Sequence, residues 1–318
     1  MQWTAEQEQV LAHGTGWCQV LGGPATGRTS VLVERWRRRA AGRPDRLLVV
    51  CRSRDAAEHF REAALADDSW TVDTLAITTF FGVAFDLLRR LGRAPRLLGR
   101  SQQWSLVRRL LAAEDARSWP GCAGLLGRAA FVDQVAAAVL AVEAAGVEDE
   151  QVMTVADRWG LGERWADLLA FRHRYRQATR SRGVVDEAQL FREAVAALDD
   201  DRARDAEARR WDEILIDDAD AATAAMGCLA ESLPVPMVVA VGEDTAGLPS
   251  GGWPRWRQGD GWGEVVRFGP CLRVIPAAVA EECRHPSSEP EAVAARLAAA
   301  HRAGVAWRDM VVLMPRAG

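Results

Sequence analysis

Gly22-Gly23-Pro24-Ala25-Thr26-Gly27-Arg28-Thr29 is the stretch that decides how this chain is read. It fits the pattern G-x-x-x-x-G-[K/R]-[ST]. Glycines in such a loop let backbone N–H groups converge on phosphate oxygens, and the following helix adds the positive end of its dipole. Thr29 offers a hydroxyl to Mg²⁺, and Ser30 continues the loop into the helix. The surroundings agree: Trp17 to Leu21 is a short apolar run, and Thr29 to Ala41 has helical spacing. Taken alone, the segment also reads as a glycine turn feeding an amphipathic helix. Two positions depart from the ideal loop. Arg28 stands where lysine is expected, and its planar guanidinium is longer than an ammonium. A displacement of about 1 Å at a reacting centre costs on the order of a hundredfold in rate. Ala25 occupies a position where glycine gives the backbone more room.

Outward from the loop, strands and helices alternate. Gln2 to His13 reads as a short helix, Leu47 to Cys51 as a buried strand and Arg54 to Ala66 as a helix. Leu75 to Thr79 reads as a strand and Phe81 to Leu91 as an amphipathic helix. Such alternation predicts an α/β fold with a parallel sheet. From Arg93 to about Ala197 the texture changes. Leu, Ala, Trp and Arg recur at helical spacing with almost no β-branched runs, which predicts an all-helical block. The acidic run Asp199-Asp200-Asp201 reads as a solvated helix end. Strands resume at Ile214 to Ile216, Val235 to Val241 and Val265 to Phe268. Residues 246 to 263 are rich in Gly, Pro and Trp and read as a loop; Glu289 to Ala303 reads as a helix and Met310 to Met314 as a last strand.

A second acidic cluster, Asp217-Asp218-Ala219-Asp220, follows the strand at Ile214. Acids at the C-terminal end of a strand suit the ligand crevice of an α/β sheet. Beside a phosphate loop, Asp217 would hold Mg²⁺ and Asp218 would polarise an attacking water. By itself the cluster also reads as a solvated turn.

Composition narrows the classes. The chain has 318 residues, 49% hydrophobic and 26% charged, with a net charge of −4. That is ordinary for a globular protein and unlike a basic nucleic-acid coat protein. No uncharged apolar run is long enough to span a membrane, and the N-terminus lacks the pattern of a secretory signal, so a cytoplasmic location with no membrane partner is expected. Six scattered cysteines without a CxxC pair read as buried reduced thiols. There is no lysine and no asparagine, and all 40 basic residues are arginine. Arg28 in place of lysine is therefore partly a matter of composition. The cluster Arg35, Arg37, Arg38, Arg39 and Arg43 reads either as a basic rim or as a solvated helix face.

Taken together, these segments resemble the UvrD/PcrA/Rep group of superfamily 1 DNA helicases. Trp3-Thr4-Ala5-Glu6-Gln7 looks like the Q motif, whose glutamine reads the adenine edge. Gly22 to Thr29 looks like motif I, and Cys51-Arg52-Ser53-Arg54 like part of a DNA-contact loop. Ile77-Thr78-Thr79-Phe80-Phe81-Gly82 is similar to the motif TFHSF. Asp217 to Asp220 resembles DExQ, Val241 to Ala246 resembles VGDPDQ, and Cys271-Leu272-Arg273-Val274 resembles NYRS, with Arg273 approaching the γ-phosphate. Gly304 to Leu313 is similar to the strand that opens the second motor domain. The order of these segments agrees over nearly the whole chain. The pattern is similar in flavour to the degenerate AdnA-type subunit of AdnAB helicase–nucleases.

The resemblance implies a RecA-like domain 1A at residues 1–92 and 196–268, a helical 1B insertion at 93–195, and the start of a second RecA-like domain, 2A, at 269–318. It implies ATP and Mg²⁺ as cofactors. Nucleotide contacts would come from Gln7, Gly22, Gly23, Pro24, Ala25, Thr26, Gly27, Arg28, Thr29, Ser30, Asp220 and Arg273, and metal contacts from Thr29 and Asp217. Single-stranded DNA would meet Arg52, Arg54, Thr79 and Phe80, by phosphate contact or base stacking. Departures cluster at hydrolysis. Asp218 replaces a glutamate and its carboxylate sits one methylene short. Asp220 and Ala246 replace glutamines. The expected function is a nucleotide- and DNA-binding module with weak or no hydrolysis, for which the resemblance offers an active helicase–nuclease subunit as a partner. The alternatives are an active 3′–5′ helicase working within a longer chain or complex, and a truncated remnant.

Overall fold

The structure is a computed structural model that describes residues 2–23, 25–40, 43–66, 75–119, 122–242 and 264–269. Pro24, Arg273 and the segments expected at 246–263, 289–303 and 304–314 lie outside the described residues, as do the expected start of the second motor domain and most of the segment resembling VGDPDQ. The strands are β1 (Trp17–Gly22), β2 (Leu47–Cys51), β3 (Ala76–Thr79), β4 (Arg96–Leu97), β5 (Val184–Val185), β6 (Glu213–Asp217), β7 (Met237–Gly242) and β8 (Glu264–Arg267). The helices are α1 (Ala5–Ala12), α2 (Arg28–Ala40), α3 (Arg54–Leu65), α4 (Phe80–Arg90), α5 (Arg100–Ala112), α6 (Ala129–Ala145), α7 (Asp149–Arg158), α8 (Gly162–Ser181), α9 (Glu187–Ala197), α10 (Asp201–Arg210) and α11 (Ala224–Ser232).

Six strands form one sheet in the order β3-β2-β6-β7-β1-β8, every pair parallel. Strands buried on both faces read as continuous apolar runs, and Leu47-Leu48-Val49-Val50-Cys51 is such a run. Its odd and even residues serve different cores. Leu47, Val49 and Cys51 pack with Leu215, Val238 and Ala240 against α1, α2 and α3. Leu48 and Val50 pack with Ile214, Ile216, Val239 and Val241 against α4, α9 and α11. This is the mixed α/β architecture that the alternation of elements predicted, and it is RecA-like, as the resemblance implied.

The block expected to be all-helical is mainly so, with a core of its own around Leu106, Val135, Val139, Phe171 and Tyr175. It also contains a two-stranded parallel sheet, β4 with β5, which two-residue strands do not announce by any periodicity. Helix α9 packs with the sheet, where Leu190, Phe191 and Ala194 join the same core as α4 and α11. Asp200 caps α10 by accepting from the Arg202 N–H at 3.4 Å, and the acidic run is exposed as expected.

The basic cluster of α2 divides. Arg35 is neither rim nor solvated face: it is fully buried. Its guanidinium meets Glu213 through two bonds, 3.1 Å from Nε and 2.5 Å from Nη2, and donates to the carbonyls of Val10 and His13. The cause is helical phase. Val31, Leu32, Arg35 and Trp36 share the inward face of α2, so a basic residue at 35 is buried with its acid. Arg38, by contrast, is exposed beside Glu34 and Glu8. Cys18 and Cys51 are buried thiols, both pushed up to about 12 by burial, while Cys122 and Cys228 are partly buried.

Candidate nucleotide site at the C-terminal edge of the sheet

Because the strands are parallel, the C-terminal ends of β1, β2, β6 and β7 lie along one edge. The phosphate loop leaves β1 and the acidic cluster leaves β6. They are not on adjacent strands: β7 runs between them. The loop and the acids nevertheless meet. Thr29, in the first turn of α2, donates its hydroxyl to Asp217, 3.1 Å from Oδ1 and 3.0 Å from Oδ2.

The backbone explains how the loop reaches the acids. Gly27 has φ 88°, in the region that favours glycine, and a Cβ there would stand 3.0 Å from Gln7 Nε2. Gly242, at the end of β7, allows still closer packing. A Cβ there would lie 2.8 Å from Arg28 Nη1 and 2.9 Å from Asp220 Oδ2. Ala25 adopts φ 58°, a left-handed conformation costing a β-carbon-bearing residue roughly 1–2 kcal/mol. The loop thus keeps a turn that suits glycine even where glycine is absent. Asp218 is also left-handed, at φ 53°, which ends β6.

Gln7 serves two neighbours. In α1's capping box its Oε1 accepts from Thr4 N at 3.0 Å, while its Nε2 donates to the Thr26 carbonyl at 3.0 Å. The Q-motif glutamine is thereby fastened to the phosphate loop. Thr26 closes the turn by donating to the Gly23 carbonyl. Asp220 accepts from the Gly242 N–H at 2.9 Å, tying the acidic cluster to β7.

Charge is concentrated here. Asp217 is 4% exposed. Burial, and then the Asp218 charge, push its carboxyl up to about 6 against the Thr29 hydrogen bond and the Arg28 charge. Asp218 faces two arginines: Arg28 Nη2 at 3.7 Å from Oδ1 and Arg52 Nε at 3.4 Å from Oδ2. Arg52 leaves β2 and is exposed; Arg28 is 14% exposed, and its Nη1 is buried without a hydrogen-bond partner among the described residues. A buried N–H of this kind costs about 1–3 kcal/mol unless something accepts from it.

These residues fit a metal-bound nucleoside triphosphate. A hydroxyl and a carboxylate, both hard oxygen donors, lie together at Thr29 and Asp217. A partnerless guanidinium N–H beside them suits an anionic oxygen. The structure therefore brings together Gln7, Gly22, Gly23, Thr26, Gly27, Arg28, Thr29, Asp217, Asp218, Asp220 and Arg52. Ser30 is exposed in the same first turn of α2, and Ala25 is exposed at the loop's tip.

The remaining residues expected at DNA differ in their exposure. Arg54 is exposed at the start of α3. The Thr79 hydroxyl caps α4, accepting from Gly82 N at 3.2 Å. Phe80 is 4% exposed and packs in the sheet core. Its ring belongs to the inward stripe of α4 with Ala84, Leu87 and Leu88, which leaves little face for a base. The pairing of Arg52 with Asp218 escaped the sequence reading, because nothing local to residue 52 reports a partner on another strand.

No curated protein matches the chain. Residues 3–226 match the model of the UvrD/REP helicase N-terminal domain, a span that includes the phosphate loop, the whole helical layer and the acidic cluster. On that match and on the parallel sheet beneath it, the chain belongs to the UvrD/REP helicase family.

Proposed function

We propose that the chain is a nucleotide- and single-stranded-DNA-binding motor module with weak or no hydrolysis of its own. In this reading it works in the cytoplasm beside a hydrolysis-competent helicase–nuclease subunit, as AdnA-type subunits do, in DNA repair or recombination. The observation that carries the binding half is Arg28, whose buried Nη1 lacks a partner among the described residues at the mouth of the loop. An oxygen of a triphosphate would accept from it. Thr29 and Asp217 would hold Mg²⁺ between them, neutralising the phosphate charge when the cofactor is bound.

The hydrolysis half follows from Asp218. A carboxylate that orients water needs a lone pair free and in reach. Here it is shared by Arg28 and Arg52 and carried on a side chain one methylene short. A shortfall of about 1 Å costs on the order of a hundredfold. Asp220 points no amide at the site, and its carboxylate is held by Gly242. Single-stranded DNA would follow the same edge past Arg52 and Arg54.

The test has two readouts on the purified chain. Fluorescent ATP analogue binding in Mg²⁺ is expected to saturate; absence of binding removes the proposal. DNA-stimulated ATP turnover is expected to stay at background, and to rise in an Arg28→Lys, Asp218→Glu double variant. Robust turnover by the unmodified chain would instead support an active motor.

A further inference from the structure

At the end of β1 opposite the phosphate loop, three side chains of metal-ligand type meet. His13 is the C-cap of α1, Cys18 is the second residue of β1 and Glu264 the first of β8. The parallel register sets Cys18 beside Glu264. Gly14 to Gly16 return the chain from α1 to β1 and bring His13 to the same place. One ring nitrogen of His13, the Cys18 Sγ and one carboxylate oxygen of Glu264 all lie within 4.8 Å of one another.

A plain ion pair accounts for part of this. His13 Nδ1 stands 2.5 Å from Glu264 Oε2, and Gln9 Nε2 donates to Glu264 Oε1 at 2.7 Å. Two features are left over. The His13 side chain is 10% exposed, and its Nε2 is buried without a hydrogen-bond partner among the described residues. A fully buried thiol also sits beside a carboxylate, and the two repel in their charged forms. A cation held by all three groups removes both costs. Arg35 is nearby but already engaged, with Glu213 and with the carbonyls of Val10, His13 and Gly14. Arg39 holds the His13 and Gly14 carbonyls as well, so the turn that presents the imidazole is fixed from α2.

The donors select the metal. Thiolate and imidazole suit Zn²⁺, whereas Mg²⁺ wants the oxygens at Thr29 and Asp217. Zinc bonds of about 2.0–2.3 Å put tetrahedral ligands roughly 3–4 Å apart, so these atoms need to shift by about 1 Å. The Glu264 side chain is 32% exposed and has room to rotate. A thiolate and a carboxylate together match the charge of one Zn²⁺, and Glu213 already balances Arg35.

We propose that His13, Cys18 and Glu264 bind one Zn²⁺, with water in the fourth position. The ion ties α1 and the edge strand β8 to β1, roughly 13 Å along the strand from Gly22. The thiol proton passes to solvent on coordination. The site does not depend on nucleotide binding at the loop.

The test is titration of the metal-stripped full chain with Co²⁺ in excess Mg²⁺. Co²⁺ standing in for Zn²⁺ reports a thiolate by charge-transfer absorption and tetrahedral geometry by its visible bands. One equivalent is expected, displaced by Zn²⁺. Cys18→Ala should abolish the charge-transfer band, while Cys122→Ala keeps it. His13→Gln and Glu264→Gln should each weaken Zn²⁺ binding by at least roughly tenfold. Zn²⁺ should raise the melting temperature of the unmodified chain and leave that of Cys18→Ala unchanged. If Cys18→Ala does not fold, Glu264→Gln decides, because it alters a partly exposed side chain at the sheet edge. No stoichiometric binding, a band that survives Cys18→Ala, or Zn²⁺ affinity unchanged in Glu264→Gln overturns the site. Competition by Mg²⁺ overturns it too, since the metal would then sit among oxygens.

Discussion

Glu143 in the helical layer and Asp218 at the sheet edge each face more than one arginine, with opposite consequences. Glu143 is fully buried and accepts from Arg172 Nε at 2.5 Å and Arg176 Nε at 2.7 Å, with Arg192 also in contact. Asp218 has a side chain 32% exposed, and its two arginines stand 3.4–3.7 Å away. Buried and short, the first cluster is a lock: the arginines overcome the burial that would raise the Glu143 carboxyl, and hold it below its ordinary value. Open and long, the second is a loose pairing that an anion can displace. Depth and distance, not the identity of the residues, separate a structural ion cluster from a site.

The strongest way to break this comparison is Glu143→Gln. Removing one charge leaves several arginines uncompensated, and a loss of about 3–5 kcal/mol is expected in denaturant unfolding. A loss below about 1 kcal/mol would mean that Glu143 is no lock. The pH profile sharpens the point. A carboxyl held below 4.5 in the fold contributes stability above that value, and this is lost as pH falls through the depressed value. The variant should therefore have a flatter acid limb.

Asp217 has the opposite sign. With its carboxyl raised from 3.8 to about 6, it favours the fold when protonated, and that contribution is lost as pH rises from about 4 through 6. Asp217→Asn should stabilise the protein at pH 7.5, in the absence of Mg²⁺, by on the order of 2 kcal/mol. The same variant should lose Mg²⁺-dependent nucleotide binding. Thermal melts and nucleotide titrations run side by side would separate the two effects; a destabilised variant would contradict the charge balance proposed for this edge.

Asp218→Asn is expected to leave stability within about 1 kcal/mol, since its ion pairs are partly exposed and long. It should tighten nucleotide binding by roughly three- to tenfold, because Arg28 no longer has a competing carboxylate. Weaker binding in a titration would show that Asp218 supports the site rather than competing with phosphate. Arg38→Ala sets the floor of the scale. Its pairs with Glu34 and Glu8 lie on the solvated face of α2, and a change within about 0.5 kcal/mol is expected in the same unfolding assay.

The same contrast explains how much the sequence could say. The apolar run Leu47 to Cys51, the turn glycines and the acids after Ile214 carry their meaning locally. Strand burial and loop chemistry depend on residues a few positions apart, so the parallel α/β fold and the phosphate loop were legible. Arginine was not. In a chain without lysine, Arg28, Arg35, Arg38 and Arg109 look alike in one dimension. Only packing separates the buried N–H beside the loop, the buried partner of Glu213, the solvated pair and the exposed residue on α5.

What the sequence determined by itself was the order of elements, the phosphate loop and its family, because periodicity and turn chemistry are short-range. What tertiary structure decided was pairing. It placed β7 between the loop strand and the acid strand, turned Phe80 into the core and set Arg52 beside Asp218. These are contacts between residues far apart in the chain, fixed by the register of parallel strands and the phase of helices against them, which no local window contains.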